Sequence, residues 1–392
     1  MGSERVGAIR RNAEGAFCFA YDASYRRRTD AIPLSLSLPL AHEGDFVEGA
    51  ARLFFANLLP EGRQRQLIAR RFGLSENNDF ELLAEIGGDC AGAVSVLPES
   101  VDPAADGGYR PISRMELRDA VADLPWHPLM AGESGLRLSL AGVQAKLPAW
   151  YRNGAFALPL GGPSTHILKP PIPDPHDRFA ESVHNEAFVM RLARAAGLPV
   201  AAVSIVDLDP QVLLVERYDR HVDAEGTVQR VHQEDFCQAL GVAPDRKYEA
   251  EGGPALPDCF GLVRREVIPP VAALNALIDW TVFNHLVGNA DAHAKNLSLL
   301  LQPDGPELAP FYDLLCTAAW EELTAKSALR IGGEARPEWI QMRHWQRFAQ
   351  ACGVTERLVR DRLQGAAERM PAYVEVRSER RTASGSLRMT SR

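Results

Sequence analysis

Gly288-Asn289-Ala290-Asp291-Ala292-His293-Ala294-Lys295-Asn296 follows a long apolar run, and Phe311-Tyr312-Asp313 comes next, with Asp313 seventeen positions after Asn296. An Asp with an Asn five positions on, then a second Asp beyond a hairpin-length stretch, is the layout of a kinase active site. In that layout the first Asp accepts the proton of the acceptor hydroxyl, and the Asn and the later Asp hold the metal ions on ATP. Phosphoryl transfer needs positioning and charge neutralisation, and Mg²⁺ needs hard oxygen ligands. Taken alone, Asp-x-x-x-x-Asn is more often a solvated loop with capping side chains. Asp313 and the features below turn the reading toward phosphoryl transfer.

A phosphotransferase also needs a cation on the phosphates. Thr165-His166-Ile167-Leu168-Lys169 reads as a short strand stopped by Pro170-Pro171. A lysine on such a strand must find a counter-charge. Glu186, on the helix expected over 185–198, supplies one candidate and Glu181 a second. Ser139-Leu140-Ala141-Gly142-Val143-Gln144-Ala145-Lys146 has small residues that let backbone N–H groups approach phosphate. Neither G-x-G-x-x-G nor G-x-x-x-x-G-K-[ST] occurs. Glu216-Arg217-Tyr218-Asp219-Arg220 follows a strand and falls where an inter-lobe hinge that binds adenine is expected. His293 lacks the second spaced histidine of a metal hydrolase and is read as a loop-shaping hydrogen-bonder. No G-x-S-x-G nucleophile elbow is present.

The chain of 392 residues is long enough for two or three lobes. A net charge of −8 excludes a protein that coats nucleic acid by bulk electrostatics. The six scattered cysteines form no CxxC pair and suit buried thiols in a reducing cytoplasm. No apolar leader region and no run of about 18 apolar residues is read, so no membrane association is expected.

Along the chain, strands are expected at Phe17–Tyr21, 34–40 and 92–97, and a helix over 53–60. An exposed connection is expected at 98–111 and a hairpin over 203–215. Val271–Val287 reads as a strongly apolar helix that delivers Asp291. The segment 376–392 carries five arginines (377, 380, 381, 388 and 392) against Glu379 and is expected to be a disordered basic tail.

These motifs, in this order, resemble the HipA family of bacterial serine/threonine kinase toxins over nearly the whole chain. The resemblance rests on Pro33-Leu34-Ser35-Leu36-Ser37-Leu38-Pro39-Leu40, Phe55-Ala56-Asn57-Leu58-Leu59-Pro60 and Glu81-Leu82-Leu83-Ala84-Glu85-Ile86-Gly87. It continues through the Ser139–Lys146 stretch, the Lys169 strand, Asn185-Glu186 and the 215–220 segment. It closes with Gln233-Glu234-Asp235-Phe236-Cys237-Gln238, Lys247-Tyr248-Glu249, Gly252-Gly253-Pro254 and the Asp291 and Asp313 loops. One departure is Leu147-Pro148, where the family pattern Gln-x-Lys-Thr carries a hydroxyl.

The resemblance implies an α+β, two-lobed protein-kinase-like fold. It implies an N-terminal subdomain over 1–105, the ATP-binding part of the N-lobe over 126–219, a helical C-lobe over 220–375, and the tail. It implies Asp291 as catalytic base and Asn296 and Asp313 as Mg²⁺ ligands. ATP contacts fall on Ala141, Gly142, Val143, Gln144, Lys169, Glu216, Arg217, Tyr218, His293, Lys295 and Asn296. Ser139 matches the serine that family members autophosphorylate. The implied partners are a HipB-like helix-turn-helix antitoxin and a protein of the translation machinery, glutamyl-tRNA synthetase being the family's example. Operator DNA would be reached only through the antitoxin complex. A regulatory corepressor with secondary kinase activity is the alternative role.

Overall fold

The computed structural model describes residues 4–101 and 108–383. Three antiparallel strands, β1 (Gly7–Arg11), β2 (Phe17–Tyr21) and β3 (Phe46–Val47), open the chain. Helices Gly49–Ala56, Gly62–Arg71 and Asp79–Ile86 pack beside them. Next come β4 (Gly108–Ile112), β5 (Leu147–Arg152), β6 (Ala155–Leu160), β7 (His166–Lys169), β8 (Val203–Val206) and β9 (Val212–Glu216). They form one antiparallel sheet in the order β4-β6-β5-β7-β9-β8. Leu147, Leu168 and Leu214 of this sheet lie in one core with Phe17, Phe54, Phe55 and Leu82. Residues expected in the first two divisions of the chain therefore share a single hydrophobic interior.

A second core gathers Leu277, Ile278, Trp280 and Phe283 of helix Val271–Val287 with Phe236, Phe260, Phe311 and Phe348. This helix is apolar on nearly every side because helices Leu256–Glu266 and Glu356–Ala383 pack against it. Gly288, at φ 69°, ends it in the left-handed conformation, and the Asn289 amide donates back to the Asn284 carbonyl at 2.9 Å. Beyond it, β10 (His232–Asp235), β11 (Ser298–Gln302) and β12 (Gly305–Leu308) form a small antiparallel sheet that carries the chain from Asn296 toward Asp313.

Three expectations are corrected. The alternating stretch 34–40 is not a strand: beyond an isolated Ser35–Leu38 bridge it is a turn that sets Leu34 and Leu38 in the first core and Leu36 against the second. Ser35 Oγ and the Leu36 amide donate to the Glu234 carboxyl, and Ser37 Oγ donates to the Gln238 carbonyl. Residues 92–97 are likewise irregular, because the Gly92 amide is taken by Asp219 (2.7 Å) and the Ala93 amide by His232 (3.3 Å). Helix Glu356–Ala383 runs into the segment 376–392, whose first part carries helix-favouring Glu and Arg; residues 384–392 lie outside the described residues. The connection 98–111 already contains the start of β4, and 102–107 lie outside the described residues. All six cysteines are unbonded, and among the described residues no helix is long and apolar enough to cross a membrane.

Glu234 gives the fold a pH dependence. Its burial pushes the carboxyl up to about 8, against the Ser35 and Leu36 hydrogen bonds. A folded-state pKa above the unfolded value means that the folded state binds this proton more tightly. Glu234's contribution is therefore fully present below about pH 4.5 and is lost as pH rises toward about 8. Gln can keep both partners without the charge. Glu234→Gln should flatten the decline in thermal midpoint between about pH 6 and pH 9 relative to the parent chain. Parallel melting curves for the two proteins across that range would refute this origin.

Candidate active site

Burial and pairing explain why Lys169 stands on an apolar strand. Its Nζ lies 2.7 Å from Glu186 Oε1 and 2.6 Å from Asp313 Oδ1. Glu186 projects from helix Ser182–Ala195, whereas Glu181 is exposed and pairs with His184. The strand lysine is thus clasped to the helix by Glu186. Burial opposes the ammonium charge, but Asp313 and Glu186 outweigh it and hold Lys169 above its ordinary range. Burial equally opposes the Asp313 carboxylate, and the Lys169 ammonium holds it well below the usual range. Asp313 sits at φ 59°, in the left-handed region that non-glycine residues rarely adopt.

The same helix anchors the segment after Asp313. Asn185 donates through Nδ2 to the Cys316 carbonyl (3.0 Å) and accepts the Cys316 amide on Oδ1 (2.8 Å). Thr317 Oγ1 then donates to the Gly288 carbonyl and accepts the Ala290 amide. Helix, Asp313 segment and Asp291 loop are therefore bound to one another through short polar contacts.

Asp291 is half-buried, with Oδ1 accepting the Tyr248 hydroxyl at 2.8 Å. Burial raises its carboxyl, and the Tyr248 hydrogen bond opposes that rise. Asn296 Nδ2 donates to the Asp291 backbone carbonyl at 3.1 Å, which turns the amide oxygen away from this contact. One carboxylate and one amide oxygen fit Mg²⁺, which keeps much of its shell in waters and substrate phosphates. His293 is buried edge-on to the Tyr248 ring, and its Nδ1 has no partner among the described residues. Burial drives that imidazole down to about 3, so it is neutral.

The small-residue loop lies over this centre. Gly142 adopts φ 111°, and a Cβ there would fall 2.6 Å from Lys146 Nζ. Lys146 Nζ donates to the Ala141 carbonyl at 2.6 Å, and Gln144 Nε2 to the Pro170 carbonyl at 3.2 Å. Val143 stands exposed. Burial and the nearby Lys169 bring Lys146 down to about 8. Lys146 places a second ammonium at the loop. Ser139 is fully buried, its hydroxyl donating to the Leu58 carbonyl at 2.8 Å. Leu147, at the departure from the family pattern, faces Leu168 inside the core and has no access to the site.

Two side chains expected at the nucleotide are engaged elsewhere. Lys295 Nζ lies within 2.6–3.5 Å of Asn57 Oδ1, the Asn57 carbonyl, Asp235 Oδ2 and Glu61 Oε1. Its three donors are spent on tying the Asp291 loop to the N-terminal helices. The Arg217 guanidinium is buried against Asp219 (2.8 Å), Ser164 and the Cys90 carbonyl. That leaves the main chain of the 216–218 stretch, the exposed Glu216 side chain and the half-buried Tyr218 ring to meet an adenine. The Arg217 amide is taken by the Thr165 carbonyl, and among the described residues nothing accepts from the Tyr218 amide. Sequence reasoning also missed Tyr248 and Glu61, which act across long sequence separations.

A family model for the HipA-like C-terminal domain matches residues 138–374, and one for the HipA N-terminal domain matches residues 1–97. The chain belongs to the HipA family. HipA, the serine/threonine-protein kinase toxin of Shewanella oneidensis, is 33% identical over 388 residues, covering 95% of this chain and 87% of that protein. Y4mE of Sinorhizobium fredii is 46% identical over 365 residues, covering 91% of this chain and 86% of its own. The solved Shewanella oneidensis complex of HipA, HipB and operator DNA superposes with a TM-score of 0.82 at 32% identity, covering 95% and 88% of the two chains. The fold is accordingly the α+β, kinase-like HipA fold, and this HipA-family chain is a serine/threonine kinase.

Proposed function

We propose that this chain is the toxin of a HipA/HipB-like toxin–antitoxin pair, and that it phosphorylates a serine or threonine of a translation component. An aminoacyl-tRNA synthetase such as glutamyl-tRNA synthetase is the preferred substrate class, with growth arrest and persistence as the outcome. The observation that carries the catalytic part is the Lys169–Glu186–Asp313 clasp facing a loop that presents Asp291 and Asn296.

ATP supplies the transferable phosphoryl group, and Mg²⁺ offsets its charge. In this reading Asp313 and the Asn296 amide oxygen hold the metal, while Lys169 and Lys146 face the phosphates. The 141–144 loop covers them, and the 216–218 main chain meets the adenine. Asp291 takes the acceptor proton. Incubation of the purified chain with radiolabelled ATP tests this. Label on protein that disappears in Asp291→Asn supports the proposal, and label that persists in that variant contradicts it.

The HipB-like helix-turn-helix partner is inferred from the Shewanella oneidensis complex, in which HipA is seen with HipB and operator DNA. That complex also favours a corepressor role for this chain, with DNA reached through the antitoxin. The two roles are compatible.

Ser139 is proposed as the self-inactivating site. A phosphate there adds about −1.5 to −2 charges. The hydroxyl is buried against the Leu58 carbonyl, which cannot solvate such a group. The phosphorylated segment must leave, taking the 141–144 loop with it. Ser139→Ala should remove phosphate from this loop and prolong activity in ATP. A phosphopeptide map that still places the mark between residues 136 and 146 would contradict it.

A further inference from the structure

A cavity of about 660 Å³ opens between the N-terminal helices and the turn 243–248. Leu53 and Ala56 form one wall, and Ala243, Pro244 and Lys247 the other. Two of its lining residues belong to the reaction centre. Val143, 55% exposed, comes from the phosphate loop, and Tyr248 carries the hydroxyl that donates to Asp291. The cavity is therefore continuous with the site where phosphate and base meet. Its volume lies in the roughly 300–1,000 Å³ range of sites that enclose a drug-sized molecule, which suits a short extended segment and not a folded domain.

The charges on its walls are unevenly neutralised. Arg52 and Arg65 both pair with Asp79, and Lys247 pairs with Glu61 at 2.8 Å. Asp245 is exposed on the turn and has no ion pair among the described residues. Of the four acids that line the cavity, Glu48 pairs with Arg52, Glu61 with Lys247 and Lys295, and Asp79 with Arg52 and Arg65, which leaves Asp245 as the lining carboxylate without an ion pair among the described residues.

We infer that this cavity receives the acceptor segment of the protein substrate, a short extended stretch with a basic residue near its serine or threonine that pairs with Asp245. The segment lies along Leu53, Ala56 and Val143, and its hydroxyl reaches Asp291 where Tyr248 now donates. The Tyr248 hydroxyl holds the acceptor's place on the carboxylate in the resting enzyme. This inference rests on the kinase reading of the site and names its substrate preference. Charge complementarity of this kind discriminates between partners as well as attracting them.

The test uses the full chain, radiolabelled ATP and two short synthetic peptides with a central serine, one flanked by arginines and one by glutamates. The parent chain should label the basic peptide with a KM about tenfold lower than the acidic one. Asp245→Arg, a surface substitution, should reverse the order. Ala243→Trp, which fills the cavity, should raise the KM for the basic peptide by about tenfold or more. Both variants should bind a fluorescent ATP analogue as the parent does. Equal labelling of the two peptides, an unmoved KM in Ala243→Trp, or a parallel loss of ATP affinity overturns the inference. A parent chain that labels itself but neither peptide overturns it alone. A parent chain that labels nothing overturns the kinase reading beneath it.

Discussion

Asp291→Asn should fold, bind ATP with unchanged affinity and lose about 10²–10⁴ in the rate of phosphoryl transfer, the usual contribution of a general base. The expectation of an intact fold comes from what the carboxylate does not hold. Asn296 binds the main-chain carbonyl of residue 291, and Asn289 accepts the main-chain amide. The Asp291 side chain accepts from Tyr248, whose hydroxyl can donate to an amide oxygen equally well. Among the described residues, no hydrogen bond or ion pair joins Asp291 to Lys169, Lys146 or Asp313, the side chains proposed to meet phosphate and metal. Single-turnover transfer from labelled ATP, with circular dichroism and binding of a fluorescent ATP analogue as controls, separates chemistry from structure. Wild-type-like turnover would remove Asp291 from its role. A loss of ATP affinity as large as the loss of rate would show that the loop had collapsed.

Lys169 and Glu186 could be read from sequence because the physics is local: a lysine on an apolar strand needs a carboxylate, and the next helix supplies one. Asp291, Asn296 and Asp313 stand out in the sequence because metal-bound phosphate chemistry restricts both residue type and spacing, and the structure sets Asn296 on the residue-291 carbonyl and Asp313 on Lys169. Lys295 misled for the opposite reason. A lysine in that loop has the right charge for phosphate, but its partners Asn57, Glu61 and Asp235 come from distant segments. The Arg217 side chain is likewise held by partners that include Ser164 and the Cys90 carbonyl, both distant in sequence. The stretch 34–40 alternates in sequence like a strand, but it folds as a turn closed by the Leu38 amide on the Ser35 carbonyl, and its buried residues are Leu34, Ser35 and Leu38. It hydrogen-bonds to the side chain of Glu234 and the carbonyl of Gln238 instead of to a neighbouring strand. The recurring lesson is that this fold joins its N-terminal part to the catalytic lobe through buried polar contacts, and those are invisible to periodicity.

The largest structural effect is expected where that join is most ionic. Asp89 is buried and accepts from Arg220 (3.0 Å), Arg230 (3.1 Å), Arg217 (3.4 Å) and the Ser164 amide. Asp219, also buried, accepts from Arg217, the Gly92 amide and Gln233. Three arginines thus share two carboxylates. Asp89→Ala leaves three guanidiniums around a single acid. Removing one partner of a buried ion pair typically costs about 3–5 kcal/mol, most of it the penalty of the charge left behind. In urea titrations the unfolding midpoint of Asp89→Ala should fall well below that of the parent, with Asp89→Asn between them because its amide still accepts. Burial opposes the Asp89 charge, but Arg217 and then Arg220 hold its carboxyl below the ordinary value. Its contribution is therefore complete above the usual carboxylate range and is lost as pH falls through the depressed folded-state value. The gap between the parent and Asp89→Ala should accordingly narrow in acid. Because Arg217 lies within the 216–218 stretch and Arg220 just beyond it, the variant should also weaken ATP binding without altering the Lys169–Glu186 contact. A midpoint for Asp89→Ala matching the parent at neutral pH would mean that the arginines relax into water at little cost, and that the hinge is fixed by its apolar strand alone.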